Sequence, residues 1–257
     1  MKTKLVINHI TNWLNNYSES TKTKGFVIGI SGGVDSAVTS VLAAKTGLPI
    51  TCIEMPIHQK KPEIERAKRH IACLKENYLN VTSLTLDLTD VYEKFISTLI
   101  INEEENQLAL ANSRARLRMV TLYYFAQSKN SLVLGTGNKI EDFGIGFFTK
   151  YGDGGVDISP IADLLKSEVY KLAKELNINN DILIAAPTDG LWEEERTDES
   201  QIGATYPELE WAMQFKKGKE PLSKRKEDVL RIYKRLHKMN QHKMNKIPVC
   251  IIPKNLK

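Results

Sequence analysis

The chain has few cysteines, no long apolar run, no internal repeat and no low-complexity linker. Its 257 residues hold three cysteines, Cys52, Cys73 and Cys250, which form no C-x-x-C pair and read as reduced core residues. No apolar stretch approaches the ~18 residues that a membrane helix requires. The Leu5-Val6-Ile7 run is broken at once by Asn8, His9 and Asn12, so no signal peptide is expected and the cytoplasm is the default location. With 42% hydrophobic and 26% charged residues, the composition is that of a soluble globular protein large enough for a substantial core. Without a linker to divide it, residues 1–257 read as one domain.

Charge is unevenly spread. Residues 216–257 carry 14 lysines and arginines against three acids, a local +11 within a total of +5, so the first 215 residues are net −6. A basic tail suits nucleic acid, an anionic substrate or a solvated helix face, and charge alone favours the last.

The informative stretch is residues 25–36. Gly25 to Ile30 is short, mostly apolar and rich in β-branched residues, the pattern of a buried strand. Ala37, Val38, Val41, Leu42 and Ala44 then recur at helical spacing over Asp35–Lys45. Between them lies Ser31-Gly32-Gly33-Val34-Asp35-Ser36. A strand that ends in a glycine turn and opens a helix leaves unpaired backbone N–H groups aimed at one spot. The positive end of the helix dipole makes that spot attractive to anions. Gly32 and Gly33 allow close approach, and Ser31 and Ser36 add hydroxyl donors. Asp35 would repel a phosphate unless a cation lay between them, so the local chemistry is phosphate plus Mg²⁺. The alternative is an ordinary strand-to-helix turn with an aspartate near its cap. The loop lacks the Gly-Lys-Ser/Thr ending of a Walker loop and the G-x-G-x-x-G spacing. It resembles the Ser-Gly-Gly-x-Asp-Ser loop of the ATP pyrophosphatases, which cleave ATP between the α and β phosphates.

Strands are also expected at Pro49–Met55, Val81–Leu88 and Ser131–Leu134, and helices at residues 3–18, Pro62–Tyr78, Asp90–Ile101, Glu103–Gln127, Ser167–Leu176 and Ser223–Asn240. Strands alternating with helices at this interval imply an α/β fold with a doubly wound parallel sheet covered on both faces, three layers in all. Ligands of such sheets sit beyond the carboxyl ends of the strands, where the Ser-Gly-Gly loop and Gly135-Thr136-Gly137-Asn138 converge. On the Glu103–Gln127 helix, Leu108, Ala111, Ala115, Met119, Leu122 and Ala126 form an apolar stripe. Asn112 and Arg116 share one edge, Arg118 lies on the other, and Arg114 points away. Residues 141–157 hold five glycines among aromatics and charges, a loop that suits a lid or binding segment better than a plain surface connection. Residues 187–205 are polar and acidic and read as a mobile loop.

Together these segments resemble the ammonia-dependent NAD synthetases. The match runs in order from the pyrophosphate loop through Asn112–Arg118, Gly135-Thr136, Gly146–Asp157, Leu165-Lys166, Pro187-Thr188 and Asp198-Glu199 to His242-Lys243. The resemblance implies a Rossmann-like, adenine-nucleotide alpha-hydrolase-like fold. It also implies a cytoplasmic homodimer that turns ATP, deamido-NAD and ammonia into NAD, AMP and pyrophosphate, with no nucleic-acid or membrane partner. By the same resemblance, Gly29, Ile30, Ser31, Gly32, Gly33, Val34, Asp35 and Ser36 cradle ATP, with Thr136, Lys166 and Thr188 on the ATP side. Asp35 and Glu141 hold Mg²⁺. Arg116, Lys150, Asp157, His242 and Lys243 contact deamido-NAD, and Asp153 handles ammonia or its proton, so that Asp35, Asp153 and Lys166 form the catalytic set. The chain departs from the pattern in having one residue more between Glu141 and Lys150, so that Asp142 competes with Glu141 for the metal. Met244 stands where an arginine is expected, and the Pro56–Lys60 segment matches too loosely to assign an adenine pocket. There is no room for the amidase domain of the glutamine-using relatives, which makes free ammonia the expected donor.

Three rivals remain at this stage. Another ATP pyrophosphatase, such as a tRNA-modifying enzyme, would use the basic tail. An oxidoreductase would place Glu54 on a ribose, and a nucleotide-sensing module would release no pyrophosphate.

Overall fold

The computed structural model describes residues 1–99, 106–188, 197–216, 218 and 221–257. Strands β1 (Phe26–Gly29), β2 (Ile50–Glu54), β3 (Val81–Thr85) and β4 (Leu132–Val133) form one parallel sheet in the order β3-β2-β1-β4. Helices α2 (Val34–Ala44) and α3 (Lys61–Asn77) carry the chain outward from β1 to β3. Helices α4 (Thr89–Ile96) and α5 (Gln107–Lys129) then return it to the far side of β1. The order therefore reverses between β1 and β4, and the crevice beyond their carboxyl ends is where such a sheet takes a ligand.

Period-two alternation feeds both faces. Ile28 and Cys52 pack with α1 (Thr3–Thr21), α2, α3 and α6 (Lys166–Glu175) through Leu14, Leu42, Leu74 and Leu172. Val27, Ile53 and Val133 pack with Tyr92 of α4 and Ala126 of α5. The result is the expected three-layer, Rossmann-like α/β arrangement. A third apolar cluster joins a π-helix (Ile140–Ile145), α8 (Asp198–Ile202), α9 (Tyr206–Gln214) and α10 (Lys224–Met244), through Ile145, Leu209 and Val229. Helix α7 (Asn180–Leu183) completes the described elements. Among the described residues, no helix is long and apolar enough to cross a membrane.

Several expectations change in detail. Of the cysteines, Cys52 alone is buried, while Cys250 is exposed. Residues 197–205 are ordered: Thr197 caps α8 through its hydroxyl, and Thr205 caps α9 in a reciprocal box with Glu208. Residues 189–196 of that expected loop, and the expected helical residues 100, 101 and 103–105, lie outside the described residues. The apolar stripe of α5 is only partly core, because Leu108 is 64% exposed.

Between α2 and α3, the buried His70 ring meets the Ser40 hydroxyl at 2.8 Å. Burial pushes the imidazole down to about 4, against a smaller upward pull from Asp181. The folded state thus resists a proton that the unfolded chain accepts below about 6.5, so this site loses stability as pH falls from about 6.5 to about 4. The full loss across that window is about 3 kcal/mol. Urea midpoints at pH 7 and pH 5 check it: the His70→Gln protein is expected to show a shallower acid slope than wild type, and equal slopes would refute the assignment.

Candidate active site

The turn after β1 builds an anion cradle from backbone. Gly32 has φ +82, and a side chain there would lie 2.8 Å from the Glu63 carbonyl of α3, so only glycine fits. Ser31 and Ser36 hydroxyls lie 3.1 Å apart, and Ser36 also donates to the Gly33 carbonyl at 3.0 Å. The serines brace the loop as well as lining it. Val34 turns into the core and offers only its backbone. Residues Ser31–Ser36 line a polar pocket of about 180 Å³ together with Thr136, Glu141, Lys166 and Thr188.

Beneath that pocket is a network of buried charge. Lys166, at the first turn of α6, places its ammonium 2.5 Å from Asp35 Oδ2 and 3.0 Å from Glu141 Oε1. Asn138 ties the two carboxylates to one frame. Its Nδ2 donates to Asp35 at 3.2 Å, and its Oδ1 accepts the backbone N–H groups of Ile140 and Glu141. The Tyr206 hydroxyl contacts Glu141 at 2.5 Å and Asp198 at 2.9 Å. Burial pulls the Lys166 ammonium down, but Asp35 and Glu141 outweigh it and hold the proton firmly. Burial also works against the Glu141 charge, yet Lys166 and Tyr206 keep that carboxyl below its ordinary value. The Asp35 carboxyl is raised, by burial first and by Glu141, against the pull of Lys166.

Both candidate metal ligands, Glu141 and Asp142, line this pocket, and they differ in their partners. Asp142 packs over Gly137, where an added Cβ would sit 2.0 Å from its Oδ2. Burial, then the charges of Glu141, Asp153 and Asp35, push its carboxyl up to about 8. Glu141 is instead held by Lys166 and the Tyr206 hydroxyl. Both carboxylates sit in the first turn of the π-helix Ile140–Ile145. Asp35 and Glu141 are hard oxygen donors converging on one cationic point beside the phosphate pocket, a donor set that fits Mg²⁺ sharing substrate phosphates. Among the described residues, no group of three His, Cys, Asp or Glu is placed to hold a metal unaided, so substrate oxygens would complete the shell.

A larger cavity of about 670 Å³ adjoins the phosphate pocket, sharing Ser31, Gln59, Glu63, Thr136, Asp153 and Thr188 with it. Its walls include Gly29, Ile30, Glu54, the α5 stripe from Leu108 to Leu122, Phe147, Phe148 and Lys243. The stripe is thus apolar because it faces a cavity as well as a core. The glycine-rich stretch is clamped over this cavity. Thr149 Oγ1 donates to Asn112 at 2.7 Å, Lys243 Nζ donates to the Gly146 and Phe148 carbonyls, and Thr149 N donates to Asp153 Oδ1 at 2.9 Å. Asp153 is open to the cleft on one side, yet burial by the surrounding protein raises its carboxyl.

Arg116, Lys150 and His242 form a separate exterior group. Arg116 donates to the Lys150 carbonyl at 3.3 Å, and Lys150 Nζ to the His242 carbonyl at 2.5 Å. Asp157 stands apart from them, accepting from Val133 N at 2.8 Å and the Tyr123 hydroxyl at 3.1 Å. Of these residues and Lys243, Lys243 alone lines the cavity.

Residues 6–247 match the NAD synthase family. The chain belongs to that family. It is 39% identical over 226 residues to the NH3-dependent NAD+ synthetase of Mycoplasma genitalium, covering 87% of each chain. It is 38% identical over 242 residues to that of Carboxydothermus hydrogenoformans, covering 91% of this chain and 92% of the other. A solved NMN synthetase from Francisella tularensis superposes with TM-score 0.85 at 34% identity, over 99% of both chains.

Sequence reasoning assigned no role to Asn138, Tyr206, Gln59, Glu63 or Glu210. Glu210 of α9 accepts Ser167 N at 2.8 Å and Ser167 Oγ at 2.7 Å, so it holds the first turn of α6, where Lys166 sits. The Thr205-x-x-Glu208 pattern with Pro207 is a helix-start signal that would have located α9.

Proposed function

We propose that the protein joins ammonia to the nicotinate carboxylate of deamido-NAD at the expense of ATP, releasing NAD, AMP and pyrophosphate. The phosphate cradle set over the Asp35–Lys166–Glu141 centre carries this reading. A carboxylate is a poor electrophile with no leaving group. Its oxygen attacks the α phosphorus, pyrophosphate departs, and the mixed anhydride left behind reacts with ammonia and expels AMP. Such a site must hold two anionic nucleotides together and stabilise the departing charge.

The backbone donors of Gly29–Ser36 would cradle the ATP phosphates, with Thr136 and Thr188 beside them. Lys166 would share its ammonium between the carboxylates and the leaving pyrophosphate. Asp35 and Glu141 would hold Mg²⁺, which when bound neutralises phosphate charge. Asp153 would take a proton from the incoming nitrogen, a role that its raised carboxyl supports. Lys243 would meet deamido-NAD inside the cavity, with Arg116, Lys150, His242 and Asp157 reached by its outer part. The exposed apolar residues Val91 and Phe95 of α4 and Val120 and Tyr124 of α5 support a homodimer formed through these helices. A cytoplasmic site, where ATP is abundant, suits the three unpaired cysteines.

The deciding experiment measures pyrophosphate release with ATP, Mg²⁺, ammonia and deamido-NAD, omitting each in turn. Sustained release is expected to need all four, with no more than a single turnover when ammonia alone is omitted, and release without deamido-NAD would overturn the reading. Lys150→Ala is expected to raise KM for deamido-NAD about tenfold with little change in KM for ATP, the loss of one partly exposed charged contact. An unchanged KM would remove Lys150 from the site. The similar solved protein from Francisella is an NMN synthetase, which gives ground for a second reading, in which the nicotinate mononucleotide is the acceptor. Comparing kcat/KM for the mononucleotide and the dinucleotide separates the two.

A further inference from the structure

The cavity contains a buried polar atom that the reaction scheme leaves without a task. Glu54 ends β2 at its carboxyl terminus, 3% exposed, and lines the 670 Å³ cavity. Its Oε2 accepts the Thr85 hydroxyl at 3.0 Å across the Glu54–Thr85 pair of β2 and β3. Its Oε1 is buried and has no hydrogen-bond partner among the described residues. A buried acceptor left unsatisfied is costly, so such an atom at a ligand cavity marks a position waiting for a donor.

The location indicates which donor. Register pairs Gly29 with Ile53, so Glu54 stands beside Ile30, one residue before Ser31 and the phosphate cradle. Ile30, Ile64 and Ala67 supply apolar wall around it, suited to the flat faces of an aromatic base. A nucleotide whose phosphates lie on Ser31–Ser36 would thus extend its base toward Glu54. With Oε2 engaged by Thr85, only one acceptor is offered, and it matches one N–H of an exocyclic amine. A carbonyl at the same ring position would set acceptor against acceptor.

Resting on the ATP-dependent reading above, we infer that Glu54 is the specificity-determining residue for the nucleotide base, accepting a hydrogen bond from the 6-amino group of adenine through Oε1. The oxidoreductase assignment of Glu54 to a ribose is unnecessary on this geometry.

The test compares kcat/KM for ATP, ITP and purine riboside triphosphate, whose base bears only hydrogen at C6. For the wild-type enzyme, purine riboside triphosphate is expected to be about 10- to 100-fold poorer than ATP, and ITP poorer still. Glu54→Gln, whose amide can turn a donor toward a 6-carbonyl, is expected to lower the ATP/ITP ratio at least about tenfold. Wild-type enzyme that uses purine riboside triphosphate within about threefold of ATP overturns the inference, and this result requires no variant to fold. A folded Glu54→Gln protein with an unchanged ATP/ITP ratio also overturns it. Absence of any pyrophosphate release from ATP by wild type would instead refute the reaction itself, so the two failures are separable.

Discussion

Asp35→Asn is expected to leave the protein folded and to lower turnover by about 1,000-fold, the scale on which removing a group that stabilises transition-state charge is felt. The substitution keeps the shape of the side chain and its place at the start of α2. What it removes is the carboxylate that, with Glu141, faces the phosphate cradle. Lys166 retains Glu141 at 3.0 Å, so its charge is not abandoned and the melting temperature should fall by only a few degrees. Pyrophosphate release across a magnesium titration, paired with a thermal melt, separates these effects. Turnover within tenfold of wild type at saturating magnesium would mean that Asp35 is a partner of Lys166 and nothing more.

The fold was legible where local pattern and global arrangement agree. The alternation of β-branched runs with amphipathic helices fixes a parallel sheet, and the Ser31–Ser36 loop falls at its switch point because a phosphate cradle requires a strand end and a helix start together. Lys166 was legible only through family resemblance. Nothing in residues 165–167 announces that α6 delivers an ammonium to Asp35, 131 positions away in the chain. Tyr206 and Asn138 were less visible still, since a buried hydroxyl between two carboxylates and an amide bridging two loops are tertiary facts with no sequence period. The α5 stripe was read correctly as apolar and incompletely as core. Periodicity reports which residues leave water, and a cavity that takes a nucleotide base asks for the same residues as a packed interior. Asp142 shows the opposite case. Its position beside Glu141 made it a rival ligand, and it lines the same pocket; what separates the two is that Glu141 has Lys166 against it while Asp142 lies against Gly137.

Lys166→Met separates two tasks that the wild-type geometry merges. The methionine fills similar volume but leaves Asp35 and Glu141 facing each other with no cation, and Tyr206 cannot replace one because its hydroxyl already lies between Glu141 and Asp198. Removing one partner of a buried charge network typically costs about 3–5 kcal/mol, which for a protein of this size lowers the melting temperature by roughly 10 °C. On the proposed metal role, magnesium would bind the folded carboxylates more tightly than the unfolded chain, so millimolar MgCl2 should raise the variant's melting temperature more than that of wild type. If Lys166 were only a counter-ion for Asp35 and Glu141, the same magnesium would restore the rate as well. Its ammonium lines the phosphate pocket, however, and a methionine there offers no charge to the departing pyrophosphate. Recovery of the fold without recovery of pyrophosphate release is therefore the expected result. A variant that melts within about 2 °C of wild type in the absence of magnesium would show instead that these carboxylates do not depend on Lys166 to remain ionised in the fold.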